Sequence, residues 1–217
     1  IKPLQTLKAI QYRDGKMEPA WNAIVLSGGG TRSISQIGAL QYVHETSFGG
    51  IGRVKEYCGT SAGSVICFLL AAGYSPQEIF LKACSTDFES LLLFGGLVDP
   101  DPSDSSAGFR WRVGIDRIHA ILSEYGMISL NPLVTLLDGM AKERLGETPT
   151  FSSLLKLTGK RLVVTAVNLT TNEVEYFCPE NTPDVPCTTA IRLSCTIPLV
   201  FSKAMHNGCC YVDGGLA

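Results

Sequence analysis

Apolar positions along this chain gather in short runs, and two periodicities alternate between glycine- and proline-rich turns. Residues 23–26 are an apolar run of strand length, followed by three glycines. Over 34–46, Ile34, Ile37, Leu40 and Val43 recur at helical spacing with Tyr42 beside them, which predicts a helix with one buried face. A turn over 48–52 leads to a second short strand at 53–58. Residues 63–72 then read as a buried helix ending at Gly73-Tyr74. Ser75-Pro76-Gln77-Glu78 is a capping box with proline at the first helical position, opening a helix to about Cys84. Further helices are expected over 116–125 and 132–145, the latter capped by Asn131 and stopped at Gly146. Residues 161–167 and 173–177 form a hairpin-like pair turning at Thr170-Thr171-Asn172. Strands alternating with helices predict an α/β fold: a three-layer α/β/α arrangement with a mostly parallel central sheet covered on both faces.

Composition narrows the class. A chain of 217 residues with 45% apolar content supports one substantial core, so residues 1–217 read as a single domain. Without a methionine at position 1, the chain reads as processed, as a domain excised from a longer protein, or as incomplete. Its net charge of −2 gives no basic surface for nucleic acid. The longest apolar run, 65–72, falls well short of the roughly 18–20 residues of a membrane span. Of the eight cysteines, Cys58, Cys67 and Cys84 lie in strand or helix segments and read as small buried hydrophobes. Cys209-Cys210 are vicinal, and no C-x-x-C pair or zinc-like Cys/His spacing occurs. Reduced thiols in a cytoplasmic protein follow. Asn168-Leu169-Thr170 fits the glycosylation triplet but reads as the start of the hairpin turn.

Three segments carry candidate chemistry. Gly59-Thr60-Ser61-Ala62-Gly63 is a serine at G-x-S-x-G spacing between a strand and a helix. A turn that sharp needs Gly59 and Gly63 on its flanks, so that the serine can take a strained conformation and point its Oγ away from the sheet. Such an exposed elbow serine contributes to chemistry and little to packing. Ser27-Gly28-Gly29-Gly30-Thr31-Arg32-Ser33 leaves backbone N–H groups uncovered ahead of a helix, a site for a phosphate or for a developing oxyanion. It matches neither the phosphate-loop pattern nor the dinucleotide pattern. Tyr211-Val212-Asp213-Gly214-Gly215 sends an aspartate from an apolar strand into a cramped turn.

In this order, with Ser61 and Asp213 152 residues apart (213 − 61), the three segments resemble the patatin-like phospholipases, which pair a serine with an aspartate and use no histidine. The likeness extends through Thr150-Phe151-Ser152-Ser153-Leu154 to the stretch from Ala190 through Ile191-Arg192-Leu193-Ser194-Cys195-Thr196-Ile197 to Pro198. The family usually has glycine where this chain has Ser33, and its members commonly continue beyond the point where this chain stops.

The resemblance implies a lipid acyl hydrolase, of phospholipase A or lysophospholipase type, that works through an acyl-serine. Ser61 would be the nucleophile and Asp213 its base. Gly28, Gly29, Gly30, Thr31, Arg32 and Ala62 would form the oxyanion site, with Arg32 also placed to hold an anionic headgroup. Neither metal nor other cofactor is expected. The partner is a phospholipid or other acyl-ester lipid, met by transient contact with a membrane surface, and no nucleic acid. A silent lipid- or partner-binding domain of the same fold and an acyltransferase are the alternatives. His44, His119 and His206 receive no role, and no histidine follows Asp213 to complete a hydrolase triad. The apolar stretch 91–98, with Leu92, Phe94 and the pair Gly95-Gly96, is expected to be a mobile lid or lipid-contact loop.

Overall fold

The computed structural model describes residues 11–13, 16–18, 22–46, 50–87 and 128–217. The expected lid at 91–98, the helix at 116–125 and His119 lie outside these residues. Strands β1 (Gln11–Arg13) and β2 (Lys16–Glu18) pair antiparallel as a separate hairpin.

The main sheet runs β3 (Ala23–Leu26), β4 (Glu56–Thr60), β5 (Arg161–Asn168), β8 (Cys209–Asp213) and β7 (Ala204–His206), and β6 (Glu173–Phe177) also pairs with β5. The sheet is mixed. The β3–β4 and β4–β5 pairs are parallel, and β6, β8 and β7 extend them antiparallel. Residues Leu162 to Asn168 of β5 are all buried, as a strand covered on both faces must be. Helix α2 (Ala62–Ala71) packs on β3, β4 and β5, while α5 (Phe151–Thr158) packs on β5 and α6 (Cys187–Ser194) on β5 and β8. Phe68, Tyr57, Leu162, Val164, Leu154 and Ile191 fill the space between them.

Local chemistry explains most element ends. Helix α3 (Pro76–Ser85) opens with the expected capping box: Ser75 Oγ accepts Glu78 N–H, and Glu78 Oε2 accepts Ser75 N–H at 2.7 Å. A second box, Thr150 with Ser153, opens α5, and Gly159 at φ 66° closes it. Gly146 at φ 82° stops α4 (Asn131–Leu145) as expected, yet Asn131 is not its cap. Leu130 holds that position, and Asn131 is the first helical residue, its N–H donated to Ser129 Oγ at 3.2 Å.

Other expectations also need correction. Strand β4 begins at Glu56, because Gly50–Arg53 is a 3-10 turn. Helix α1 (Ile34–Thr46) buries only the narrow stripe of Ile37 and Leu40, packing mainly against α3, so Ile34 and Tyr42 face solvent. Cys84 is exposed on α3, whereas Cys67 is buried, and all eight cysteines are free thiols. Asn168 is buried: its Nδ2 donates to Glu175 Oε1 at 2.6 Å, and its Oδ1 accepts the Thr170 and Thr171 N–H groups. It serves the hairpin turn.

Candidate active site

The pairing register of β5 brings the two ends of the site together. On β5, residues Arg161 to Thr165 pair with β4, and Ala166 to Asn168 pair with β8. Strand β6 pairs with Val164 to Asn168 and so overlaps both of the others. Since each stretch of strand has two edges, β6 takes one, and β4 and β8 share the other. They meet there head to head: Thr60 lies opposite Thr165, and Asp213 lies opposite Ala166. One residue step of about 3.3 Å along the edge separates the two levels. Neither chain can run on. Ser61 turns off into α2, and Gly214 turns off into the 3-10 segment Gly214–Leu216.

At the elbow, Ser61 adopts φ 52° and ψ −130°, a conformation that a residue with a side chain rarely takes. Its backbone is held on both sides. The Ser61 N–H donates to Ser194 Oγ at 2.8 Å, and its carbonyl accepts from Ser64 N–H at 2.8 Å and Ser64 Oγ at 2.6 Å. A Cβ on Gly59 would lie 2.5 Å from Ser64 Cα, and one on Gly63 would lie 2.5 Å from Leu26 O. These two glycines let α2 start directly against the ends of β4 and β3.

The glycine loop lies over this turn: a Cβ on Gly28 would be 3.0 Å from Ser61 Cβ. Ser61 is accordingly only 6% exposed, so the expectation of an exposed elbow serine is corrected: the loop covers it. Gly30, at φ 53°, begins the 3-10 turn Gly30–Ser33 that runs into α1, with Arg32 N–H donating to Gly29 O at 3.1 Å. Among the described residues, the N–H groups of Gly29, Gly30, Thr31 and Ala62 meet no protein acceptor. The Arg32 side chain is exposed. Ser33 fits beneath the loop, buried, its Oγ close to the Gly29 Cα hydrogens and without a hydrogen-bond partner among the described residues.

Asp213 is also 6% exposed. Its N–H donates to Thr196 O at 2.8 Å, and its Oδ1 accepts Gly215 N–H at 2.8 Å. Gly214 presses on the Thr165 carbonyl so closely that no Cβ would fit. Thr165 in turn shares a 2.6 Å hydroxyl contact with Thr60, so the strand between the two chain ends is locked to the elbow. The pleat puts Thr60 with Thr165 on one face and Asp213 with Ala166 on the other, the face to which the next step of β4 returns. Ala166 offers no bulk there.

Sequence reasoning gave no role to Ser194, Cys195 or Thr196, although it singled out the stretch that holds them. Residue type alone carries no signal of the Ser61 and Asp213 backbone contacts. Cys195 is buried beside the Ser61 and Ser64 hydroxyls and the Asp213 carboxylate. Burial first, then that carboxylate, pushes its thiol pKa up to about 12, so it stays protonated.

The described histidines stand elsewhere. His44 Nδ1 accepts Ile51 N–H at 3.3 Å beyond the opposite end of the sheet. His206 packs on Phe177 and Tyr211 and pairs with Cys209, four residues or about 13 Å along β8 from Asp213. Among the described residues, no group of three or more His, Cys, Asp or Glu could hold a metal ion. No described helix is long and apolar enough to cross a membrane.

A glycine loop over a strained serine, with an aspartate delivered to the same strand edge, defines the class. The patatin-like phospholipase family model matches residues 24–217, and the chain belongs to that family. It is 30% identical over 199 residues to the probable lipid hydrolase 463L of Invertebrate iridescent virus 6, covering 90% of this chain and 60% of that protein. The uncharacterized protein YqhO of Bacillus subtilis is 27% identical over 197 residues, covering 88% of this chain and 62% of YqhO. The fold matches VipD from Legionella pneumophila with a TM-score of 0.62 at 19% identity, over 100% of this chain and 51% of VipD. It matches ExoU of Pseudomonas aeruginosa, solved in its complex with SpcU, with a TM-score of 0.58 at 22% identity, over 84% of this chain and 37% of ExoU. This chain thus spans about 60% of the length of the curated relatives named here.

Proposed function

We propose that this chain is a single catalytic domain that hydrolyses fatty-acyl esters of phospholipids or lysophospholipids through an acyl-serine on Ser61, with Asp213 as the base. The observation that carries this reading is the head-to-head meeting of β4 and β8 on one edge of β5, which delivers a strained serine and an aspartate to one place. Asp213 takes the Ser61 proton as Oγ bonds to the ester carbonyl carbon. The oxyanion that forms is met by N–H groups from Gly29, Gly30 or Thr31 together with that of Ala62, and losing one such donor typically costs about 3–4 kcal/mol of transition-state stabilisation. The carbon–oxygen bond to the leaving alcohol then breaks, and Asp213 returns the proton to that alcohol. Water, deprotonated by Asp213, attacks the acyl-serine, and the fatty acid leaves as Oγ regains a proton.

Arg32, exposed on the same loop, would hold an anionic headgroup. The eight free thiols fit a cytoplasmic protein, and a bilayer substrate requires transient contact with a membrane surface. A fluorophosphonate probe tests the reading, together with hydrolysis of phospholipids resolved by acyl position. Wild type should be labelled at Ser61 and release fatty acid, and Ser61→Ala should do neither. A chain that binds vesicles but is never labelled would be a silent lipid-binding domain.

A further inference from the structure

Both proposed reacting residues are held by three consecutive residues at the end of α6. Ser194 Oγ accepts the Ser61 N–H at 2.8 Å, and Thr196 O accepts the Asp213 N–H at 2.8 Å. Between them in sequence stands Cys195, itself buried. All three residues are buried, Ser194 completely. The segment is itself fastened: Cys195 N–H donates to Ile191 O at 2.9 Å, and Thr196 Oγ1 donates to Arg192 O at 2.8 Å. No strand ladder joins β4 to β8 directly, so their relative placement depends on β5 along one side and on this segment across the gap.

We infer that Ser194-Cys195-Thr196 is a clamp that sets the nucleophile against its base, with Ser194 as the positioning residue for Ser61. The physical reason lies in the elbow. At φ 52° the Ser61 backbone stores strain, and it relaxes unless its N–H has a fixed partner. With the Ser194 hydroxyl removed, that buried N–H loses its acceptor, the elbow swings toward an ordinary conformation, and Oγ shifts relative to Asp213. Misplacing reacting atoms by about 1 Å can cost roughly a hundredfold in rate while leaving substrate binding intact. The inference rests on the reading of Ser61 and Asp213 as the reacting pair.

The test compares wild type with Ser194→Ala, Ser194→Cys and Ser194→Thr on a soluble p-nitrophenyl ester. The kcat is expressed per serine titrated by the fluorophosphonate. Ser194→Ala and Ser194→Cys, which remove or weaken the acceptor, should lose about tenfold to a hundredfold in kcat per titrated site, with KM changed less than about twofold. Ser194→Thr, which keeps the hydroxyl, should restore most of the rate. A role in stability alone predicts fewer titratable sites and a lower Tm with kcat per site unchanged, and that result overturns the clamp. If Ser194→Ala fails to fold, Ser194→Cys decides, because a folded Ser194→Cys protein with the wild-type rate per site overturns it equally. Wild type that takes no label at Ser61 removes the reacting pair and the clamp with it, whereas labelled wild type with an indifferent Ser194 removes the clamp alone.

Discussion

Close approach at single positions governs the site. Gly28 and Gly30 sit in one loop but face different surroundings: a Cβ on Gly28 would press on Ser61, whereas one on Gly30 would meet open space. Gly28→Ala should therefore displace the loop and depress ester hydrolysis far more than it lowers Tm. Gly30→Ala should cost about 1–2 kcal/mol of stability for its left-handed φ. Paired thermal melts and esterase assays on the two variants separate these outcomes. Asp213→Asn keeps the turn-forming carbonyl oxygen that accepts Gly215 N–H but cannot take up the serine proton. Its activity should fall nearly to that of Ser61→Ala with the fold retained. Replacing His44, His119 or His206 singly should be mild, and kcat for the four variants on one soluble ester tests this. A histidine variant as inactive as Asp213→Asn would replace the dyad with a triad.

At the scale of elements, two exposed ion pairs tie pieces of the fold together. Glu78, the capping residue of α3, reaches Arg144 of α4 at 2.5 Å, and Arg144 lies over the Tyr74 ring at 4.2 Å. Glu180 pairs with Arg161 at the start of β5 at 2.9 Å. The Ser75 N–H, then Arg144, hold the Glu78 pKa at about 2, and Arg161 does the same for Glu180. Because these folded values lie below the ordinary 4.5, the stability they contribute is fully present above about pH 4.5 and is lost as pH falls through about 2. Both glutamates are well exposed, so solvent screening keeps each contribution small. Glu78→Gln should lower Tm modestly at pH 6, and the gap to wild type should close as melts are repeated down to pH 2. A gap that stays constant with pH would assign the effect to shape and not to charge.

For the whole molecule, the candidate site has no local existence. Ser61 and Asp213 are 152 residues apart in the chain (213 − 61) and lie buried where two strands meet on a third. Loss of esterase activity in urea should therefore coincide with loss of the far-UV circular dichroism signal. Activity lost at clearly lower urea would show a site that opens apart from the sheet. Much of this arrangement was legible in the residues alone. The glycines of the elbow, the Ser75–Glu78 box, the stop at Gly146 and the span of α1 follow from conformational demands that a few neighbouring residues meet by themselves. The three motifs, in order, pointed to the family and to Ser61 and Asp213. Other features depended on distant partners. Ile34 and Tyr42 carry the same apolar signal as Ile37 and Leu40, and only the narrow packing of α1 left them outside. The cover over Ser61 comes from a loop about thirty residues upstream. Ser194, Cys195 and Thr196 gained their contacts only when α6 packed on β5 and β8. Local sequence determined which turns were possible and which side chains carry chemistry, because φ preferences, caps and side-chain functional groups act over a few residues. Tertiary structure alone decided how Ser61 and Asp213, the proposed nucleophile and base, are set against each other and what holds them there. That placement comes from strand register and buried hydrogen bonds between segments far apart in the chain, from Ala166 with Asp213 to Thr60 with Thr165 and Ser61 with Ser194.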